Sequence, residues 1–292
     1  MQISDIEFTL LRDFLLKETG IDIPESKRYL FSTRMSDLLE KERCKSFSDF
    51  FLVLTKGSSH LIRATIETMT THESSFFRDP QHFQLLMDTI LPAAALRKDR
   101  QRLRIAPRIR ILSAGCSFGQ EPYTIAICVN RWLSAQSNWS AQDVSITAID
   151  ISTRALERAK LGVFTDLELG QSITDADKER FFIKQKGQWT ITPTLRNQIE
   201  FKCINLTRPW NDLGKFDVIF CRNVIIYFAP DQKTQVLSQL RDALDPDGAL
   251  FLGSMESMYG TNIDFVHKVI GQSSYYEAPP IQTLNGDLSW KF

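Results

Sequence analysis

From residue 108 onward, short apolar runs of strand length alternate with stretches of helical periodicity, and that rhythm leaves few folds open. RIRILSA (108–114), DVSITAID (143–150), IEFKCINL (199–206), FDVIFCRN (216–223) and ALFLG (249–253) read as strands. Helical patterns fill the gaps at 121–134, at 151–160 and at 231–244. Strands that are apolar along their whole length, separated by helices, predict a parallel sheet covered on both faces. The expected class is α/β, a doubly wound and mainly parallel sheet. Between residues 162 and 196 the alternation lapses, and KGQWTIT suggests a hairpin, so a small antiparallel β insert is expected at about 163–197.

The first 75 residues follow another pattern, with no convincing strand. Ser4 and Glu7 have the spacing of a capping box, Leu11, Phe14 and Leu15 share one helical face, and Gly20 suits a helix end. Pro24 suits the start of a second helix that turns Tyr29, Leu30, Met35, Leu38 and Leu39 inward. Shorter helices fit 48–54 and 60–69. The expected organisation is a small all-helical N-terminal domain (1–75), a linker and helix (76–96), the α/β domain (97–280) and a polar C-terminal tail (281–292). In the linker TTHESSFFRDP (70–80), Phe76 and Phe77 read as apolar anchors.

Composition excludes several classes. Lys+Arg and Asp+Glu are equal at 35 each, without the basic excess of a general nucleic-acid binder. A local basic run of seven residues between Arg97 and Arg110 reads as a solvated helix end, with an electrostatic dock as the alternative. The five cysteines include no C-x-x-C and the four histidines no H-x-x-x-H, so no metal is expected. No export signal is evident, and no apolar run approaches the ~18 residues of a membrane span. A cytoplasmic, reduced protein that is not embedded in a membrane is expected, acting as a monomer.

The chemistry concentrates at Ala114-Gly115-Cys116-Ser117-Phe118-Gly119-Gln120-Glu121, which joins the first strand to its helix. Ligands of doubly wound sheets sit beyond the carboxyl ends of the strands, where glycines let backbone amides approach closely. The glycine spacing is shorter than G-x-G-x-x-G, which suits a nucleoside better than a dinucleotide. Asp150, ending the second strand, is placed to accept hydrogen bonds from ribose hydroxyls. A purely structural turn is the plain alternative. The same residues also satisfy G-x-S-x-G, the nucleophile elbow of serine hydrolases, with Ser117 as nucleophile and His267 downstream. That elbow normally follows several strands, whereas this turn follows the first.

AGCSFGQEPYTIA resembles the cofactor loop of the CheR-type chemotaxis receptor methyltransferases. TTHESSFFRD, INL and FCRNVIIYF resemble that family's other signatures, in the same order, and the likeness extends over about residues 5–277. The resemblance implies a Rossmann-like fold of the S-adenosylmethionine-dependent methyltransferase type. It also implies S-adenosylmethionine as cofactor, S-adenosylhomocysteine as product, and methyl esterification of glutamate side chains on a chemoreceptor's cytoplasmic signalling region. Carried over residue by residue, it implies a cofactor pocket with His72, Ser74, Arg78, Gly115, Glu121, Asp150, Asn205, Leu206, Arg222 and Asn223. Asp150 would hold the ribose, and Asn205 and Leu206 would flank the adenine. Arg78 and Tyr227 would serve the reaction, and Lys27, Arg28 and Arg34 the docking of an acidic receptor helix.

The chain departs from the family pattern at His72 for asparagine, Ser74 for threonine and Phe118 for a small hydroxyl residue. The short KQKGQWTIT stretch implies action independent of a receptor's C-terminal tether peptide. A glutamate carboxylate, with an ordinary pKa of about 4.3, is already ionised near pH 7. Methyl transfer to it needs alignment rather than a general base, so a missing Ser/His/Asp set is no objection. The residues alone leave open a methyltransferase of the same fold with another acceptor, and a non-catalytic cofactor-binding module.

Overall fold

The computed structural model describes residues 2–100 and 108–279; the tail assigned to 281–292 and the middle of the basic run lie outside them. The amino-terminal part is helical. Helix α1 (Asp5–Thr19) begins on the Ser4–Glu7 capping box and ends at Gly20, which adopts the left-handed conformation (φ 75°). Phe8, Leu11 and Leu15 are buried on its inner face, with Phe14 partly buried beside them.

The second helix differs from expectation. Pro24 opens only a 3-10 turn (Glu25–Lys27), followed by two short helices, α2 (Tyr29–Arg34) and α3 (Ser36–Lys41). The chain bends at Met35 (φ −95°, ψ −2°), Tyr29 stands outward at 60% exposure, and Phe31 takes the buried place. Helices α4 (Phe47–Leu54) and α5 (Ser59–Met69) complete the bundle, each capped by a serine hydroxyl.

The linker carries two non-glycine residues in the left-handed region, Phe77 (φ 49°) and Asp79 (φ 55°). Phe76 is pinned between Phe164 (4.9 Å) and Phe182 (5.9 Å), and Phe77 lies against Phe83 (5.8 Å), so both are anchors as expected. One long helix follows as α6 (Pro80–Leu85), a π turn (Leu86–Ile90) and α7 (Leu91–Arg100).

The α/β part then alternates: β1 (Ile109–Ala114), α8 (Gln120–Leu133), β2 (Val144–Asp150) and α9 (Thr153–Leu161). The insert contains β3 (Val163–Phe164), α10 (Asp166–Leu169), α11 (Asp175–Phe181), β4 (Phe182–Gln185), β5 (Gln188–Ile191) and α12 (Pro193–Arg196). Its strands form an antiparallel sheet in the order β3-β5-β4, as KGQWTIT predicts. Strands β6 (Ile199–Cys203) and β7 (Phe216–Cys221), helix α13 (Pro230–Ala243) and strand β8 (Leu244–Leu252) follow. Strand β8 starts earlier than its apolar run, because the DPDG turn is absorbed as an irregularity with Asp247 at φ 59°. The last two strands, β9 (Val266–Ile270) and β10 (Ser273–Glu277), were not expected.

The main sheet runs β6-β2-β1-β7-β8-β10-β9, parallel except for β10, which is antiparallel to both neighbours. The chain winds outward from β1 through β2 to β6, then returns to lay β7 on the other side of β1. The β1/β7 boundary is thus the topological switch point, where loops on either side part and leave a crevice. Apolar side chains cover both sheet faces: Phe83, Phe220 and Phe251 on one, Val236, Leu237 and Leu240 of α13 on the other.

Candidate active site

A cavity lies at that switch point, beyond the carboxyl ends of β1, β2, β6 and β7. Each of the ten residues expected to bind cofactor lines it: His72, Ser74, Arg78, Gly115, Glu121, Asp150, Asn205, Leu206, Arg222 and Asn223. Tyr227 lines it too. Sequence reasoning missed a further wall from the helical part, where Thr19, Ile21 and Met69 reach the same space. Ile21 forms an antiparallel bridge with Phe228, and the Asp22 amide donates to the Tyr227 carbonyl at 2.9 Å.

The glycine turn is built for close approach. A Cβ on Gly115 would fall 2.4 Å from Val224 Cγ2, so only glycine fits between the loops after β1 and β7. Ser117 (φ 50°) donates its amide to Asp150 Oδ2 at 2.8 Å, and the Ser152 amide donates to Oδ1 at 2.9 Å. These bonds fix the carboxylate at the end of β2. Burial nevertheless raises the Asp150 pKa above its usual value.

Arg222 is the charge centre of the inner wall. Its side chain is 2% exposed, and its guanidinium lies 3.1 Å from Glu121 Oε2 and 2.6 Å from Asp79 Oδ2. It also donates to the Arg78 carbonyl at 2.5 Å. The two carboxylates respond oppositely: burial raises Glu121 despite Arg222, whereas at the less buried Asp79 burial, again the largest single effect, is outweighed by the hydrogen bonds from Arg222 and Ser254 together with the Arg222 and His82 charges, and the pKa is lowered. Arg78 itself makes no ion pair among the described residues; it donates only to the Glu73 carbonyl, at 3.4 Å. The Tyr227 hydroxyl has no partner among the described residues either.

Polar atoms left over inside the site suit a ligand that brings its own donors. Asn223 Oδ1 and Ser117 Oγ line the cavity, are buried, and accept or donate nothing. Asn223 holds a left-handed conformation (φ 58°), which its residue type tolerates. Asn205 is tied down, donating to the Glu18 carbonyl at 2.8 Å and accepting from Thr207. Two of the unusual residues face each other: the rings of His72 and Phe118 are 5.1 Å apart, with the Arg158 guanidinium 4.3 Å from the centre of the Phe118 ring. Burial lowers the His72 pKa, so the neutral ring is favoured. Cys116 lines the cavity, but Cys221 lies in the core beneath it, and burial pushes both thiols well up.

The hydrolase arrangement is not assembled. His267 stands on edge strand β9, stacked on Tyr276 at 4.8 Å, and Ser117 has no hydrogen-bonding base. Two of the three residues expected to dock the acceptor already have partners within the chain. Arg28 is paired with Asp5 (2.6 Å) and Glu25 (3.0 Å), and Arg34 donates to the Met69 carbonyl (2.9 Å) and Thr71 Oγ1 (3.2 Å). Arg34 thus ties α2 to the linker rather than standing free. Lys27 is exposed and makes no ion pair among the described residues. Glu67, also unanticipated, accepts from Thr153 Oγ1 (2.8 Å), the Arg154 amide (3.2 Å) and Ser152 Oγ, so it caps α9 from the helical bundle.

Comparison with known proteins agrees with this architecture. Residues 72–274 match the CheR methyltransferase, SAM binding domain, and residues 6–70 match the CheR methyltransferase, all-alpha domain. Chemotaxis protein methyltransferase 1 of Pseudomonas aeruginosa is 34% identical over 259 residues, 88% of this chain and 92% of the relative. The chemotaxis protein methyltransferase of Vibrio parahaemolyticus is 37% identical over 267 residues, 90% of this chain and 93% of the relative. Chemotaxis protein methyltransferase 2 of Vibrio cholerae is 31% identical over 281 residues, 95% of this chain and 94% of the relative. With a match across both parts of the fold and relatives this similar over nearly their full length, the chain belongs to the CheR methyltransferase family and is an S-adenosylmethionine-dependent methyltransferase.

Proposed function

We propose that the chain esterifies glutamate carboxylates on the cytoplasmic signalling region of chemoreceptors, releasing S-adenosylhomocysteine. The observation that carries this reading is the pairing pattern in the cavity. Arg222 is neutralised by Asp79 and Glu121, whereas Arg78 has no ion pair and the Tyr227 hydroxyl no hydrogen-bond partner among the described residues, and both line the same cavity. A cavity that offers one spare guanidinium and one spare phenol suits an anionic acceptor.

S-adenosylmethionine supplies an electrophilic methyl carbon on a sulfonium, with a neutral leaving group. The chain's own residues bind and orient. The Asp150 carboxylate would accept from ribose hydroxyls, and Asn205 and Leu206 would flank the base. Glu121 and the orphaned Asn223 Oδ1 are acceptors of the kind an α-ammonium group requires. Arg78 grips the spectator oxygen of the incoming carboxylate through a charge-assisted bond. Tyr227 donates a second hydrogen bond, leaving the other oxygen to attack. The acceptor is ionised at neutral pH, so no residue takes a proton in the chemical step. Alignment of this kind supplies ~7–11 kcal/mol of barrier reduction.

Radiolabelled methyl from the cofactor, offered to membranes that contain chemoreceptors, tests the reading. Label that enters receptor bands and is released by mild alkali is expected, because an ester hydrolyses and an N-methyl group does not. Alkali-stable label, or label confined to other proteins, would remove it.

A further inference from the structure

We infer that Glu256, just beyond the end of β8, is a positioning residue that sets the geometry of the loop carrying Asn223 and Tyr227. The inference rests on the methyltransfer reading of this site and names a residue that lies outside the cavity lining. Glu256 is 8% exposed and makes no ion pair among the described residues. Four backbone amides donate to it: Asn223 (2.7 Å) and Gly253 (2.7 Å) to Oε2, Val224 (2.9 Å) and Ile226 (3.2 Å) to Oε1.

Three of those amides belong to the turn between β7 and α13, and each would otherwise be a donor without a partner. That turn departs from regular structure, with Asn223 at φ 58° and Val224 at φ −120°, ψ −48°. It carries six cavity residues around those bonds: Arg222, Asn223, Val224, Ile226, Tyr227 and Phe228. The neighbouring backbone is shaped to admit the carboxylate. A Cβ on Gly253 would fall 2.8 Å from Glu256 Oε2 and 2.9 Å from the Asn223 amide nitrogen, so a side chain at position 253 would crowd the carboxylate out of its place.

A carboxylate suits this place because it is acceptor-only, with two oxygens facing donors on every side. Glutamine has nearly the same shape but replaces one oxygen with an amide that confronts backbone N–H groups. The turn then relaxes, and Tyr227 loses its aim at the acceptor. Displacements of about 1 Å cost on the order of a hundredfold in rate.

The test compares wild type, Glu256→Gln, Tyr227→Phe and the double variant. The expected kcat for Glu256→Gln is about tenfold to a hundredfold below wild type, with S-adenosylhomocysteine affinity within about fivefold of it. The double variant should be little slower than the slower single variant, because both substitutions disable one device. An unchanged kcat, or losses that multiply, overturns the inference. Deuterium exchange at the amides of Asn223, Val224 and Ile226, with S-adenosylhomocysteine present, gives a readout that needs no acceptor. Exchange should accelerate in Glu256→Gln, and equal protection also overturns the inference. If wild type labels no receptor, the acceptor assignment fails while the exchange comparison still decides the role of Glu256. Should Glu256→Gln not fold, Gly253→Ala strains the same contact and carries the same expectations.

Discussion

Arg222 and Glu121 meet at 3.1 Å where the end of β7 faces the first turn of α8, and the same guanidinium reaches Asp79 of the linker at 2.6 Å. One arginine therefore joins three chain segments around the cavity. Its removal leaves two carboxylates without their counter-charge, and breaking buried pairs costs about 3–5 kcal/mol. Arg222→Ala is expected to lower unfolding free energy by about that amount in urea denaturation, together with S-adenosylhomocysteine affinity. A variant as stable as wild type would show that the pairs contribute little.

Arg78 and Tyr227 are expected to behave differently, since neither supports the fold through a strong bond of its side chain. Arg78→Ala and Tyr227→Phe should each reduce methyl transfer by at least about tenfold, the loss of a charge-assisted or oriented hydrogen bond. Melting temperatures should stay near wild type. Steady-state rates at saturating cofactor measure this, and wild-type rates in both variants would discard the proposed roles.

Gly115→Ala tests the fit of the turn. Its Cβ would sit 2.4 Å from Val224 Cγ2, at a backbone φ of 77° that alanine tolerates poorly. Calorimetric titration should show S-adenosylhomocysteine binding weakened by about tenfold or more. Val224→Ala added to Gly115→Ala should restore part of it by removing the clash while leaving the strained φ.

Arg34 and Lys27 separate anchoring from docking. Arg34→Gln removes the bond to the Met69 carbonyl, the last residue of α5, and should weaken cofactor binding through the linker that carries His72 and Ser74. Lys27→Glu should leave cofactor binding unchanged and raise KM for an acidic receptor segment. The reverse pattern would restore Arg34 to the docking face.

His82 predicts a pH dependence of stability. Burial, with the nearby Arg222 charge adding and Asp79 opposing, holds its pKa at about 4 against an ordinary 6.5. Between those values the unfolded chain takes up a proton that the folded chain refuses, so stability falls as pH drops from about 6.5 towards 4. His82 lies against Phe251 at 5.6 Å, so His82→Phe keeps the packing and removes the titration. Its melting temperature should decline less than that of wild type between pH 7 and pH 5, and parallel declines would count against this assignment.

What a linear pattern can carry explains which of these features are legible in it. Strands β1, β2 and β7 beside the cavity are buried along almost their whole length, so their apolar runs stand out and place Gly115, Asp150 and Arg222 at strand ends without any knowledge of contacts. Strand β9 is exposed along its length, so no apolar pattern marks it. Spacing predicts one helix through Tyr29 and Met35 because it has no means of sensing the bend at Met35. Charge is visible at Arg28 and Arg34, but their partners, Asp5 and the linker carbonyls, are set by tertiary packing. The signal for Glu256 is faint: an acid four residues after an apolar strand, near a glycine.

The bridge between Ile21 and Phe228 gives the helical bundle a share in the catalytic crevice. Any exchange of the first seventy residues with a relative, made to redirect the enzyme to a new receptor, would import a foreign piece of cofactor wall as well. Such a chimera must match Ile21 to its seat before any change in its specificity can be judged.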